Sequence, residues 1–260
     1  MSDVVAAALC LPLSDAAERV RWHMTDVRWH AIDRDKVTPQ LTELAKAIAY
    51  AELTTTSATR RFLTELADDV DFTQWISVWF YEETRHPQVL LRWLHEVGVA
   101  VDEQFVQRGR ATAPFMRSRM GTLVTNIVSE MVASAGYVAM AGRVGEPILA
   151  GLLRNLAADE ARHGASFYAY AKRHLERARD PGEREAHVRD ALKVLYVWFE
   201  DNANTRHPVN EFYARGDGLP FEEVVPRDRI IALIGTLLDL PLATMTDVLG
   251  AMKGARHEQA

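Results

Sequence analysis

Asp159-Glu160-Ala161-Arg162-His163 decides how this chain is read, and Glu82-Glu83-Thr84-Arg85-His86 echoes it. Each stretch holds Glu-x-Arg-His, so a carboxylate at i and an imidazole at i+3 share one face of a helix, one turn apart. No third Glu-x-x-His occurs in the chain. One match would carry little weight, but two with the same inner arginine, each inside a helical pattern, carry much more.

The flanks show where those faces point. Around the first motif the stripe runs Trp75, Trp79, Glu83, His86, Leu90, Leu94; around the second it runs Leu149, Leu152, Leu156, Glu160, His163, Phe167, Tyr170. Both have helical spacing and both drop an acid and an imidazole into an apolar stripe. An ionised carboxylate facing a core costs several kcal/mol unless it is paired. A metal ion is the natural partner. Two further stripes carry one glutamate each: Leu41, Ala45, Ile48, Glu52, Thr55, Thr59, Phe62, and Met120, Leu123, Ile127, Glu130, Ser134, Tyr137, Ala141. Glu52 precedes Glu83 by almost the separation at which Glu130 precedes Glu160. The chain thus uses a lone Glu followed by Glu-x-x-His twice, the ligand set of carboxylate-bridged dimetal centres in four-helix bundles.

Composition sets the bounds. At 260 residues with 48% hydrophobic and 25% charged residues, the chain is expected to be one soluble globular domain. Cys10 is the only cysteine, which excludes an internal disulfide framework and fits a reducing compartment such as the cytoplasm. The apolar start from Val4 to Leu13 follows Asp3 with no Lys or Arg, so it reads as a packed or frayed terminus, not a signal peptide. The apolar run Ile230–Ala243 is broken by Asp239 and Pro241 and is too short to span a bilayer. A net charge of −6 argues against a general nucleic-acid binder.

No segment has strand periodicity, so the fold class is all-α: a four-helix bundle core over about 39–180 with additional N- and C-terminal helices. Ser14 is the expected cap of a first helix reaching Asp26 and containing Trp22. Thr38-Pro39 opens the Glu52 helix, expected to run to about Leu66 although Thr54-Thr55-Thr56-Ser57 lowers its propensity. Asp71 is the expected cap of the Glu83 helix, where Pro87 should produce a kink or bulge near Glu83. The Glu130 helix starts near Pro114, and Glu146-Pro147 opens the Glu160 helix. Extra helices follow at about 183–202 and 228–253, with a turn-rich stretch from Thr205 to Pro226.

Four carboxylates and two imidazoles carry four negative charges, which two divalent cations neutralise. Oxygen-rich ligation with one imidazole per metal suits iron or manganese better than zinc. Glu83 and Glu160 are the natural bridges, with Glu52 and Glu130 terminal. Asp159 is the best acceptor for the outer proton of a ligand imidazole, His86 across the bundle, unless it is a plain surface acid. Glu82 holds the pseudo-symmetric place, and Arg85 and Arg162 are available to pair with these acids. A metal-free network of salt bridges is the competing reading of the six groups. Trp75 and Trp79 are read as core packing before electron transfer. The cluster Lys172, Arg173, His174, Arg177, Arg179 is either a solvated helix end or a docking patch for an acidic partner.

With these residues laid out, the sequence resembles the acyl-carrier-protein desaturases, diiron enzymes of the ferritin-like fold, over roughly Thr38 to Tyr170. Trp75-x-x-x-Trp79-x-x-x-Glu83-x-Arg-His86 is similar to that family's Trp-spaced Glu-Glu-Asn-Arg-His region, and Asp159-Glu160-x-Arg-His163 to its Asp-Glu-Lys-Arg-His region. The resemblance implies two iron ions, with manganese the alternative, held by Glu52, Glu83, His86, Glu130, Glu160 and His163. It also implies oxidation by O₂ of an acyl chain tethered to acyl carrier protein, electrons from a ferredoxin-type donor, and a homodimer. The family places a threonine one turn beyond its third-helix glutamate, implicated in proton delivery; here that place is Ala133 with Ser134 beside it. Asp159, Trp79 and Ser134 are therefore the candidate catalytic residues. A diiron hydroxylase or amine N-oxygenase is the alternative. An iron-storage or peroxide-scavenging relative ranks lower, and so does a radical subunit, since Tyr81 lies off the ligand stripe.

Overall fold

Helix starts follow cap chemistry. The Thr38 hydroxyl accepts from Leu41 N–H at 3.2 Å and Pro39 fills the first turn of its helix; the Glu146 carboxylate accepts from Ile148 and Leu149 N–H ahead of Pro147; Asp180 caps the helix that opens with Pro181. Each satisfies donors that a helix leaves without internal partners. The computed structural model describes residues 8–110, 118–201 and 224–257. Its helices are α1 Cys10–Val20, α2 Pro39–Glu52, α3 Thr55–Glu65, α4 Val70–Glu96, α5 Glu103–Gly109, α6 Arg119–Arg143, α7 Pro147–Glu176, α8 Pro181–Phe199, α9 Arg227–Leu238 and α10 Met245–His257. No strand occurs among the described residues.

Several boundaries differ from expectation for local reasons. α1 starts at Cys10, because Asp71 accepts from Leu9 and Cys10 N–H at 3.1 and 3.0 Å and so caps it from another helix. It ends at Val20, leaving Trp22 outside. α4 is capped by Asp69, whose carboxylate accepts from Phe72 N–H, rather than by Asp71. α4 runs on through Pro87, α-helical from Val70 to Glu96 with no wider turn at Glu83. The helix expected through Leu66 is instead two, α2 and α3, divided at Leu53-Thr54. There the hydroxyls of Thr54 and Thr55 donate to Ala51 and Glu52 carbonyls at 2.9 and 2.7 Å, offering the backbone a competing set of bonds. The expected helix start at Pro114 and most of the turn-rich stretch lie outside the described residues.

α2 and α3 pack on α4, α6 lies along α7, and α4 meets α7, which makes the helix-bundle core; α8 to α10 cover the α6–α7 side and α1 leans on α4. The core falls into two apolar bodies. One gathers Phe62, Phe72, Trp75, Trp79, Phe167 and Tyr170 with the C-terminal helices, and the other gathers Ile48, Trp93, Leu94, Tyr137 and Leu149. The acids of the two motifs lie between them. α6 is long and apolar enough to cross a membrane, but 61% of its most apolar window is buried inside the bundle, where that apolarity is used.

Candidate metal centre

α2, α4, α6 and α7 bring Glu52, Glu83, His86, Glu130, Glu160 and His163 to one place, all buried. Around His86 Nδ1 stand Glu52 Oε2 at 3.4 Å, Glu160 Oε1 at 3.2 Å and Glu83 Oε2 at 3.9 Å. Around His163 Nδ1 stand Glu83 Oε1 at 2.8 Å, Glu160 Oε2 at 3.5 Å and Glu130 Oε2 at 3.8 Å. Glu83 and Glu160 each contribute one oxygen to each set, which is the disposition of bridging carboxylates; Glu52 and Glu130 each serve one. The donors form two groups able to hold a metal ion, sharing those two glutamates. Glycine helps at one point: a Cβ on Gly164 would lie 3.3 Å from Glu130 Cβ, so its absence permits the α6–α7 approach that delivers Glu130.

The outer faces are fixed by acids. His86 Nε2 donates to Asp159 Oδ2 at 3.2 Å and His163 Nε2 to Glu82 Oε2 at 3.0 Å. With its proton held there, each imidazole turns a lone pair on Nδ1 toward the carboxylates. Arg162 donates to both outer acids, to Asp159 Oδ1 at 2.7 Å and Glu82 Oε1 at 3.1 Å. Arg85 sits 4.1 Å over the Trp22 ring and bonds its carbonyl, while Trp22 Nε1 donates to Asp159 Oδ2 at 2.8 Å. Trp22 carries no motif signal, since its contact spans a large sequence separation.

The two Nδ1 atoms and Glu83 Oε1 are buried without hydrogen-bond partners. Orphaned acceptors converging in a dry site are costly unless a cation fills them, so the donor set fits a pair of divalent transition ions. Without metal the group is electrostatically frustrated. Burial first, and Glu160 second, push Glu83 up to about 7. Burial and Glu160 also raise Glu52 and Glu130. Burial would raise Glu160 as well, but a hydrogen bond from Glu130 and the charge of His86 hold it well below the usual range. Burial pulls both imidazoles down, yet the surrounding carboxylates override it and raise them well above the usual value.

Beside the acids lies a cavity of about 70 Å³ lined by Thr54, Thr55, Asn126, Ser129, Ala133 and Trp79 together with Glu52, Glu83, Glu130 and Glu160. Thr55 Oγ1 stands 3.2 Å from Glu83 Oε2, and Trp79 Nε1 donates to Glu130 Oε1 at 3.3 Å. Ser134 is not in this wall. Its hydroxyl donates to Ala157 O at 2.8 Å, because one residue along a helix rotates the side chain by roughly 100°, so Ala133 faces the cavity and Ser134 faces α7. The proton-delivery role expected of Ser134 is corrected accordingly. Tyr137 lies on the α6 stripe, where spacing gives no sign of a polar partner; its hydroxyl bonds Glu52 Oε1. Tyr81 is exposed, with Arg21 over its ring at 4.9 Å. The basic cluster at and just beyond the end of α7 is only partly a surface: Arg173 is engaged by Asp69 and Asp71, His174 packs on His187 with ring centroids 4.5 Å apart, and Lys172 and Arg179 remain exposed.

A family model described as fatty acid desaturase matches residues 40–194. Solved structures of R2-like ligand-binding oxidases are similar in fold. One with an aerobically reconstituted Mn/Fe cofactor aligns with TM-score 0.56 and 15% identity over 89% of this chain and 90% of that one. A point variant with an Fe/Fe cofactor gives 0.57 and 14% over 91% and 93%. A third, after photoconversion, gives 0.58 and 15% over 91% and 94%. A search of curated proteins gives no match.

Proposed function

The chain belongs to the fatty acid desaturase family and is by that membership an O₂-activating dimetal oxidoreductase, and on this premise we propose that it desaturates an acyl chain tethered to acyl carrier protein, with two iron ions as cofactor. The observation that carries the reading is the sharing of Glu83 and Glu160 between two imidazole-centred donor sets. Two iron ions held by these six residues would relay electrons to O₂ without being their net source. In the balanced reaction the substrate gives up two hydrogens as two protons and two electrons. A ferredoxin-type donor gives two more electrons, two protons come from solvent, and O₂ leaves as two waters.

The chain's own residues hold and shield the site. Asp159 and Glu82 fix the protons on His86 Nε2 and His163 Nε2. The aromatic packing of Phe62, Trp79 and Phe167 closes one flank to water. The cavity bounded by Thr54, Ser129 and Ala133 receives the reacting carbon. Manganese in one position is the alternative loading, since R2-like oxidases of this fold carry Mn/Fe as well as Fe/Fe. A homodimer is the proposed assembly. A second reading, hydroxylation or amine N-oxygenation, draws on the amide and hydroxyl of Asn126 and Ser129 in the cavity wall and on Ala133 where the desaturases have threonine.

The test reconstitutes the protein with Fe(II), supplies ferredoxin, its reductase and O₂, and offers acyl chains on carrier protein beside free amines. Carrier-bound product lacking two hydrogens supports desaturation. Product bearing an added oxygen moves the assignment to the second reading, and no O₂-dependent product from any of them overturns both.

A further inference from the structure

Glu52 and Glu130 have no motif partner to aim them, and each is held from outside by a buried aromatic donor. Glu52 turns Oε2 toward His86 Nδ1 at 3.4 Å while Oε1 accepts from the Tyr137 hydroxyl. Glu130 turns Oε2 toward His163 Nδ1 at 3.8 Å while Oε1 accepts from Trp79 Nε1 at 3.3 Å. Tyr137 and Trp79 come from different helices, α6 and α4, and both are almost fully buried. The two halves thus divide each terminal carboxylate in the same way, one oxygen inward and one to a ring donor.

A carboxylate with two free oxygens can swing between one- and two-oxygen binding or slide into a bridge. A donor fixed on one oxygen disfavours those alternatives, because a buried charge-assisted bond is lost in each of them. The restraint matters most at Glu52, the last residue of α2, with the chain turning at Leu53-Thr54 immediately after it. Glu52 and Glu130 also line the cavity, so the pose of their carboxylates decides how much of each metal faces it. We propose that Tyr137 and Trp79 are positioning residues that confine Glu52 and Glu130 to one-oxygen ligation, each acting on its own half of the centre, and so keep the cavity side of both metals open. This rests on the dimetal reading above.

The experiment uses Tyr137→Phe and Trp79→Phe in the full chain, loaded with Co(II). Titration followed by the visible Co(II) absorption gives affinity and ligand field, and anomalous diffraction gives occupancy at each position. Tyr137→Phe, which removes only a hydroxyl, is expected to lower affinity roughly tenfold or more at the position beside His86, with a changed absorption, and to spare the position beside His163. Trp79→Phe is expected to do the converse. Trp79 also packs on Phe62 and Phe167, so if Trp79→Phe fails to fold, the one-sided effect of Tyr137→Phe decides. Wild-type affinity, spectrum and occupancy in Tyr137→Phe, or equal loss at both positions, overturns the proposal while leaving the dimetal reading intact. A wild-type protein that holds no metal pair overturns both.

Discussion

Around His86 the terminal acid is Glu52, the last residue of a helix that stops there; around His163 it is Glu130, in the middle of an unbroken helix. The first half lies next to a helix break made by threonine hydroxyls, with its outer acid Asp159 fixed by Trp22 and Arg162. The second lies on continuous α6, with its outer acid Glu82 fixed by Arg162 and approached by Arg21 at 3.6 Å. One repeated motif therefore yields two inequivalent positions. The inner donors follow from helical period alone, whereas what distinguishes the halves comes from residues far away in the chain.

The largest effect should come from removing what the halves share. Glu160→Ala deletes a donor from both sets and leaves the remaining buried charges poorly compensated, a defect that costs about 3–5 kcal/mol. It should lose at least one metal and melt several degrees lower, whereas Glu52→Ala and Glu130→Ala should each empty one half; metal analysis with thermal melts separates the cases. Retention of two metals in Glu160→Ala breaks the comparison at its root.

The metal-free protein offers a pH test. Glu83 in the fold titrates at about 7 against an ordinary 4.5, so the folded state binds its proton more tightly than the unfolded chain. That contribution is fully present below 4.5 and is lost as pH rises through about 7. Glu52, Glu130 and both imidazoles shift in the same direction, and Glu160 in the opposite one. His174, lowered to about 4 by burial and then by His187, has the reverse sign, with stability present above 6.5 and lost as pH falls toward 4. Metal-free Glu83→Gln should therefore lose less stability than metal-free wild type between pH 4.5 and 7. Parallel melting curves for the two would remove Glu83 from the frustrated set.

Smaller changes sharpen the contrast between halves. Asp159→Asn should weaken the position beside His86, and Glu82→Gln that beside His163, each by roughly 10- to 100-fold, read by metal titration. Thr55→Val removes a hydroxyl that bonds Glu52 O and stands by Glu83. It should cost about 1 kcal/mol in urea unfolding and disturb the His86 half first; an equal disturbance of both halves would mean that the helix break is not what distinguishes them.

The six inner residues were legible because burial of an acid at helical spacing has few explanations, and four such helices leave little choice of architecture. Asp159 as an imidazole partner was legible from its place beside Glu160. The α2–α3 break was visible only as a weak run of threonines, since propensity does not say whether a hydroxyl will capture a carbonyl. Tyr137 and Trp22 were not legible as partners, because their bonds join distant segments. Ser134 follows the cavity-lining Ala133 by a single residue, which on a helix is enough to turn its side chain into the neighbouring interface. Within the basic cluster, Arg173 is taken up by Asp69 and Asp71 at the α4 start, a contact between distant segments that no local pattern marks.

Anomalous diffraction at the iron edge from crystals of the wild-type protein loaded with Fe(II) tests the central claim most directly. Two peaks are expected inside the bundle, one beside His86 Nδ1 and one beside His163 Nδ1, both contacted by Glu83 and Glu160. A single peak, or iron bound away from these residues, would contradict it.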